Sequence, residues 1–421
     1  MVAVMFSQVS LPEDFKETEI GPIPVDWEVI QISDVADIKG GGTPSTKKPH
    51  FWNGAIPFLT PSDVTSHRTL HISRSSRYIT EEGLKQSSAK LMPRGSVLMT
   101  SRATIGEVAI CDVPMATNQG FINIIVRPDE LANEFLAYWI TWRKEFLKEL
   151  GTGTTFKEVS KGVFKTVRIP LPPLPEQRRI AHVLSTIQRA IAAQDDLIAA
   201  AREVKRSLMQ RLFTYGPDAE PAPTKETEIG EIPEHWEVVR LGELCQLDRE
   251  NLEPQELPEM PYVGLEHIES GEPKLRKWGS SNEVRSSKHH FVPRDVLYGK
   301  LRPYLDKAVL AEFEGVCSTD ILVVKANAEF TLPEFLVHLL HTQQFLSYAI
   351  STTSGTNLPR TRWTSLRDFK LALPSLPEQR RIASILQAAD RKIEVEEQRK
   401  AVLQALFKSM LHQLMTGQVR V

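Results

Sequence analysis

From Ile180 onward, apolar residues recur in columns seven residues apart. Ile180, Ile187, Gln194, Ala201 and Leu208 form one column. Val183, Ala190, Leu197, Val204 and Arg211 form a second, and Leu184, Ile191, Ile198, Lys205 and Leu212 a third. Three mostly apolar columns over five heptads predict a long amphipathic helix. Pro175 suits its first turn, where the missing N–H is no loss. Gln177 is placed to fold back as a capping-box residue would. Gly216 and Pro217 stop the helix. A second such stretch runs from Pro377 to Thr416, with Gly417 as its stop. Its columns include Ile382, Ala389, Leu403 and Met410, with Ile385 and Leu406, and Leu386, Ile393, Phe407 and Leu414. Lys392, Glu396, Arg399 and Lys400 fall at seam positions, so its middle is read as solvated or as packing at a different angle. About 40 residues make each helix about 60 Å long. Neither buries its stripe alone, so the two are predicted to pair as an antiparallel coiled coil with a globular head at each end.

The pattern between the helices is shorter in period. "GFINIIVRP" (120–128) and "DILVVKAN" (320–327) read as buried strands. Each is followed at the same interval by a helical pattern, at 130–150 and 332–350. "KGGGTPS" (39–45) is a loop. The heads, 27–170 and 236–372, are therefore expected to be α+β with a mixed, mostly irregular sheet. The long helices take 171–216 and 373–421, after an N-terminal segment (1–26) and a connecting segment (217–235).

The chain repeats itself. "LPPLPEQRRIA" begins at Leu171 and "LPSLPEQRRIA" at Leu373, with ten of eleven residues identical. "KETEIGPIPVDWEVI" (16–30) returns as "KETEIGEIPEHWEVV" (225–239), with eleven of fifteen identical. Fainter parallels lie between: "MPRGSVLMTSR" (92–102) with "VPRDVLYGKLR" (292–302), and "GTGTTFKEVSKGVFKTVRIPLP" (151–172) with "TSGTNLPRTRWTSLRDFKLALP" (353–374). Identity confined to the flanks of divergent regions points to two similar devices, held the same way and doing different versions of one job. The repeated Leu-Pro-Glu-Gln block then marks the joint between each head and its helix.

Composition narrows the class. A chain of 421 residues is too long for one ordinary core. No apolar run approaches the roughly 18 residues needed to cross a bilayer. The start, "MVAVMFSQVS", has neither the basic nor the apolar region of a signal peptide, so a cytoplasmic location is expected. Cys111, Cys245 and Cys317 are far apart and are read as reduced, buried thiols rather than zinc ligands or a disulfide framework. A net charge of −2 means that any positive surface is local or shared with a partner. There is no phosphate-loop motif and no His-Glu-x-x-His. The triple glycine at 40–42 does not sit between a clean strand and helix, and no Asn or Asp precedes the Pro-Pro pair at 172–173. No catalytic or metal site is legible.

Two variable regions, two repeated long helices and the duplicated Leu-Pro-Glu-Gln-Arg-Arg-Ile-Ala block together resemble the specificity subunit of type I restriction–modification systems. "GEIPEHWEVVRLGEL" (230–244) and "GGTPS" (41–45) are similar to other phrases of that family. The resemblance covers residues 16 to 417. It implies two target-recognition domains related by a pseudo-two-fold axis and separated by the paired helices. Each domain would read one half of a bipartite, asymmetric site on double-stranded DNA. The helices would set the spacer and dock two methyltransferase subunits, which bring S-adenosylmethionine. Restriction/translocase subunits using ATP and Mg would complete the complex. The chain itself would be non-catalytic, without cofactor or metal, and away from any membrane. Two rivals are a DNA adenine methyltransferase with a fused recognition domain and a coiled-coil scaffold with no DNA role. The first lacks a visible cofactor domain. The second does not explain why the heads diverge while their joints stay fixed.

DNA contacts need basic or hydroxyl groups for phosphates and oriented donors and acceptors for base edges. In the first head these are expected at Lys47 and Lys48, at His67 and Arg68, at Thr100, Ser101 and Arg102, and at Thr154, Thr155 and Lys157. In the second they are expected at Lys300, Arg302, Thr356, Asn357, Arg360 and Arg362. The groups around Arg102 and around 355–362 recur in both halves.

Overall fold

The computed structural model describes residues 13–67, 69–153, 157–220, 222–248, 250–252 and 259–421. The long helices span Leu174–Tyr215 and Leu376–Met415. The chain divides into two compact units, Met1–Asp196 with Glu397–Val421, and Leu197–Glu396. Each unit thus holds one head and half of each long helix.

In the first unit, a five-stranded sheet runs in the order Ala36–Gly40, Phe121–Val126, Val97–Thr100, Val108–Cys111, His71–Ile72. It is antiparallel except at the last pair. A second sheet sets Trp52–Leu59 between Ala116–Thr117 and Arg77–Ile79. The run "FINIIV" is apolar on successive residues because both of its faces are covered. Ile122 and Ile124 pack with Val97, Met99 and Ile110 against Phe135, Leu136 and Trp139 of the helix Asn133–Trp142. Phe121 joins Leu98, Ala109, Cys111 and Met92 on the other face. Asn123, buried within this strand, is hydrogen-bonded to Thr117.

The second unit repeats the plan. Its first sheet runs Cys245–Asp248, Ile321–Ala326, Val296–Gly299, Ala308–Leu310. Its second runs Asn251–Leu252, Lys288–Phe291, Gly315–Cys317, Pro261–Val263, Gly279–Ser280. Both strands read from the apolar runs at 120–128 and 320–327 are present, at Phe121–Val126 and Ile321–Ala326. The helical patterns that follow them are each broken in two: Asn133–Trp142 then Lys144–Glu149, and Pro333–Leu339 then Gln343–Ser351. Thr342 caps the last of these by accepting from Phe345 N at 3.3 Å, an N-cap role that ends one helix and starts the next.

Within each unit the helix halves are antiparallel. In the first, Ile180 and Leu184 share a core with Leu411 and Leu414, while Asp195 pairs with Lys400 at 2.5 Å. In the second, Leu212 packs with Ile382 and Leu386, while Lys205 pairs with Asp390 at 2.6 Å. The third column of the first helix is the buried seam: Leu184, Ile198, Lys205 and Leu212 are nearly inaccessible. The second column is not part of the seam, since Leu197 and Val204 are 43% and 57% exposed. Among the charged residues read as seam positions of the second helix, Glu396 is fully buried, Lys400 is half-buried, and Lys392 and Arg399 are exposed.

A polar exchange distinguishes the two units. Tyr138 donates to Gln188 at 2.9 Å and meets the Phe407 ring edge-on in the first. The equivalent second-unit positions are His338, Asp390 and Lys205. Burial, Lys205 and His341 hold the His338 imidazole well below its ordinary value, so it stays neutral beside the Lys205–Asp390 pair.

The repeated blocks meet at the joints. Glu28–Gln31 pairs antiparallel with Arg168–Leu171, and Glu237–Arg240 with Lys370–Leu373. Beside these ribbons the Trp27 indole donates to Glu176 and the Trp236 indole to Glu378, both at 3.2 Å. Gln177 does not close a capping box. Pro173, which precedes the helix, has no N–H to offer. The Gln177 amide instead donates to Pro172 O (2.9 Å) and Glu130 O (3.0 Å) and accepts from Ala132 N (2.8 Å). Gln379 makes the matching set with Pro374 O, Phe330 O and Leu332 N. In the second copy the box residue is Glu378, which accepts from Ser375 N at 3.0 Å. Each Gln is a buried clamp that ties its long helix to the start of a head helix.

Candidate nucleic-acid interface

Three segments of each head are locked together by matching backbone hydrogen bonds. In the first, Thr100 N donates to Glu107 O (2.8 Å), Ser101 N to Gly120 O (2.7 Å), and Val159 N to Ser101 O (3.0 Å). In the second, Gly299 N donates to Lys307 O (2.8 Å), Lys300 N to Asp320 O (2.9 Å), and Thr361 N to Lys300 O (3.0 Å). Thr152 and Glu158 exchange backbone hydrogen bonds, as do Ser354 and Arg360. The recurrence of both clusters, expected from sequence, is a shared scaffold.

The match fixes a register that differs by one residue from the sequence parallel. Val97–Thr100 superposes in pairing on Val296–Gly299, so Arg102 stands where Leu301 does. Arg302 instead matches Ala103; both are left-handed, at φ 51° and 57°. The shared "Pro-Arg" phrases invite an alignment without gaps, but "GS" before the first strand is matched by a single Asp295 in the second.

The arginines are held differently. Arg102 Nε pairs with Glu158 at 2.8 Å. Arg360 occupies the position of Glu158 and grips Asp320 with two hydrogen bonds, at 2.9 and 3.1 Å. Those bonds, together with the Arg360 and Lys300 charges, outweigh burial and lower the Asp320 carboxyl below its ordinary range. Beside them, burial and Lys300 push the His289 imidazole down.

The other expected contacts fall as follows. Lys47, Lys48, Arg102, Lys157, Arg302, Thr356, Asn357 and Arg362 are exposed, and Lys300 and Arg360 are half-buried. Thr100 and Ser101 are buried. The Thr100 hydroxyl donates to Thr104 O at 2.5 Å and accepts from Glu107 N at 3.0 Å, so it shapes the turn instead of facing outward. His67 is exposed, but its Nε2 lies 2.7 Å from His71 O. Arg68, Thr154 and Thr155 lie outside the described residues. Sequence reasoning missed Glu158 and Asp320, the carboxylates that orient the arginines. Acidic residues repel phosphates, so a pattern of cations and hydroxyls does not include them.

Among the described residues, no three His, Cys, Asp or Glu side chains gather as metal ligands, and no helix is long and apolar enough to cross a membrane. The three cysteines are free and buried. Burial pushes the Cys245 thiol up to about 12 and Cys111 and Cys317 upward too, so none is a thiolate at neutral pH.

One framework built twice, with different side chains on matching loops, defines a duplicated recognition module. The sequence profile described as "Type I restriction modification DNA specificity domain" matches residues 24–201 and 233–405. The chain belongs to that family. It is 31% identical over 438 aligned residues to the type I restriction enzyme MjaIX specificity subunit of Methanocaldococcus jannaschii, covering 97% of each chain. It is 23% identical to the EcoDI specificity subunit of Escherichia coli, covering 88% of this chain and 83% of that one. The fold is also that of the S subunit of a type I restriction-modification system from M. genitalium, at TM-score 0.57 and 16% identity over 96% of this chain and 98% of that one. A chain from a type I R-M complex-assembly structure matches at TM-score 0.58 and 20% identity, covering 94% and 99%. As a specificity component, this chain belongs to the recognition part of such a system and not to its catalytic part.

Proposed function

We propose that this chain is the address reader of a cytoplasmic type I restriction–modification complex. Each head reads one half of a bipartite, asymmetric target on double-stranded DNA. The observation that carries this reading is the pair of matching loop scaffolds, which hold Arg102 and Glu158 in one head and Lys300, Arg360 and Asp320 in the other. One framework with different donors is what two modules reading different half-sites require. The exposed cations Lys47, Lys48, Lys157, Arg302 and Arg362 supply phosphate contacts, with Thr356 and Asn357 as further polar contacts. Arg68, Thr154 and Thr155 belong to the same set by sequence.

The long helices set the spacer and dock two methyltransferase subunits, which bring S-adenosylmethionine. Restriction subunits bring ATP and Mg. Support for two equivalent docking sites comes from one helix position that is apolar and exposed in both units. Val402 and Leu406 in the first unit are 68% and 44% exposed, and Val204, the counterpart of Leu406, is 57% exposed in the second. Exposed apolar side chains clustered on a helix mark an interaction surface.

Mapping the methylated positions on DNA exposed to the chain with its methyltransferase partner tests the reading. The expected pattern is two dissimilar half-sites at a fixed spacing. Methyl transfer by this chain alone, or a palindromic target, would overturn it.

A further inference from the structure

Beside the arginine loops lies a turn that no motif marks. In the first head, residues 118–120 precede the strand Phe121–Val126, and their backbone is held on every side. Asn118 N donates to Leu59 O (3.1 Å), Gly42 N to Thr117 O (2.9 Å), and Ser101 N to Gly120 O (2.7 Å). The Asn118 side chain accepts from Gly120 N at 2.9 Å. Gly41 lies so close that a Cβ there would sit 1.8 Å from Asn118 O. Of the three turn residues only Gln119 is exposed. Its side-chain oxygen accepts from the Thr43 hydroxyl.

The second head builds the same turn from different residues. Ser318 N donates to Val263 O (2.9 Å), Ile321 N to Ser318 O (2.8 Å), and Lys300 N to Asp320 O (2.9 Å). The Ser318 hydroxyl accepts from Asp320 N at 3.3 Å, in place of the Asn118 side chain. Here the exposed residue is Thr319. Each turn therefore holds one outward side chain on a fixed backbone. In each case the backbone hydrogen bond beside it leads to a candidate cation, Arg102 next to Ser101 in one head and Lys300 in the other.

We propose that Gln119 and Thr319 occupy one specificity-determining position, read separately by each head. The proposal rests on the DNA-reading function above. A glutamine amide can donate to N7 and accept from the N6 amino group of adenine at once, whereas a threonine offers one hydroxyl and a methyl that suits thymine. Thr43 acts as a positioning residue, since a base reader must be held before DNA arrives. The first head's half-site then contains an adenine–thymine pair facing Gln119.

The test measures methylation rates of the complex with its methyltransferase partner, on duplexes carrying the target and every single-base-pair change in it. Gln119→Leu should erase a preference of about 10- to 100-fold at one adenine–thymine pair of the first head's half. The other half should be untouched. Thr43→Val should weaken the same preference, and Thr319→Val should act only in the other half. Unchanged preferences in Gln119→Leu, or a uniform loss of rate with no position relaxed, would overturn the proposal while leaving the two-headed reading intact. A wild-type complex with no two-part preference would instead overturn the functional reading, and this proposal with it.

Discussion

The Trp27 indole N–H reaches the Glu176 carboxylate at 3.2 Å across 149 residues of sequence. Trp236 and Glu378 repeat the contact at the same distance. The two sequence blocks that the chain spells twice are thus the two sides of one joint. Around it the solutions diverge: Arg420 bridges Glu176 and Asp26 in the first copy, while His235 contacts Glu378 at 2.8 Å in the second. Glu176 is almost inaccessible, and Trp27 and Arg420 both donate to its carboxylate.

A double-mutant cycle of Trp27→Phe with Glu176→Gln should give a coupling of about 1.5–3 kcal/mol in urea unfolding, the range for a hydrogen bond to a charged group. The same cycle on Trp236 and Glu378 should give a similar value. Additive effects at both joints would show that the contacts are not energetically coupled.

The glycines that end the long helices should not respond alike to alanine. Both have positive φ, +84° at Gly216 and +71° at Gly417. A Cβ at Gly216 would meet the Trp236 ring at 3.2 Å, a tight contact, but at Gly417 it would lie 2.2 Å from Pro24 Cγ. Gly216→Ala should cost about 1 kcal/mol from backbone strain. Gly417→Ala should cost clearly more, because Pro24 must also move. Thermal midpoints of the two variants decide the order.

Acid should act on the second joint over a defined window. Burial raises the Glu378 carboxyl, but hydrogen bonds from His235, Ser375 and Trp236 overcome it and hold the group at about 2. A carboxyl lowered on folding contributes stability above its ordinary 4.5, and that contribution fades as pH falls toward 2. The full effect is about 3 kcal/mol. Unfolding free energies measured between pH 5 and 2 should fall less steeply in Glu378→Gln than in the wild type.

Arg302 forms no ion pair among the described residues and is exposed, so nothing orients it for a base edge. Arg302→Ala should weaken binding to all sequences alike and reduce the slope of log affinity against log salt by about 1. Affinity titrations of the complex at several salt concentrations check this. A change of sequence preference would make Arg302 a base reader.

Replacing residues 28–170 with the matching region of a relative should change one half of the methylated site and spare the other half and the spacing. The first head's two sheets and helix close within one unit, which makes it a module. A change in both half-sites would mean that the heads read DNA as one coupled device.

The long helices, the two buried strands and the duplicated joints were legible in the sequence, because periods of seven and runs of apolar residues are local consequences of backbone geometry. The resemblance that pointed to the family rested on the order of repeated phrases, and the matched relatives agree with it. Which helix column is buried was not legible, since Val204 and Lys205 can exchange inside and outside only when a partner such as Asp390 is known. Nor was the role of Gln177, because its carbonyl and amide partners lie 45 and 47 residues upstream. The one-residue offset that pairs Arg302 with Ala103 is set by hydrogen bonds to Asp320 and Gly120 from distant strands. Local sequence determines what a segment can become. Only the closing of long-range contacts decides which of its side chains faces the core and which is left exposed.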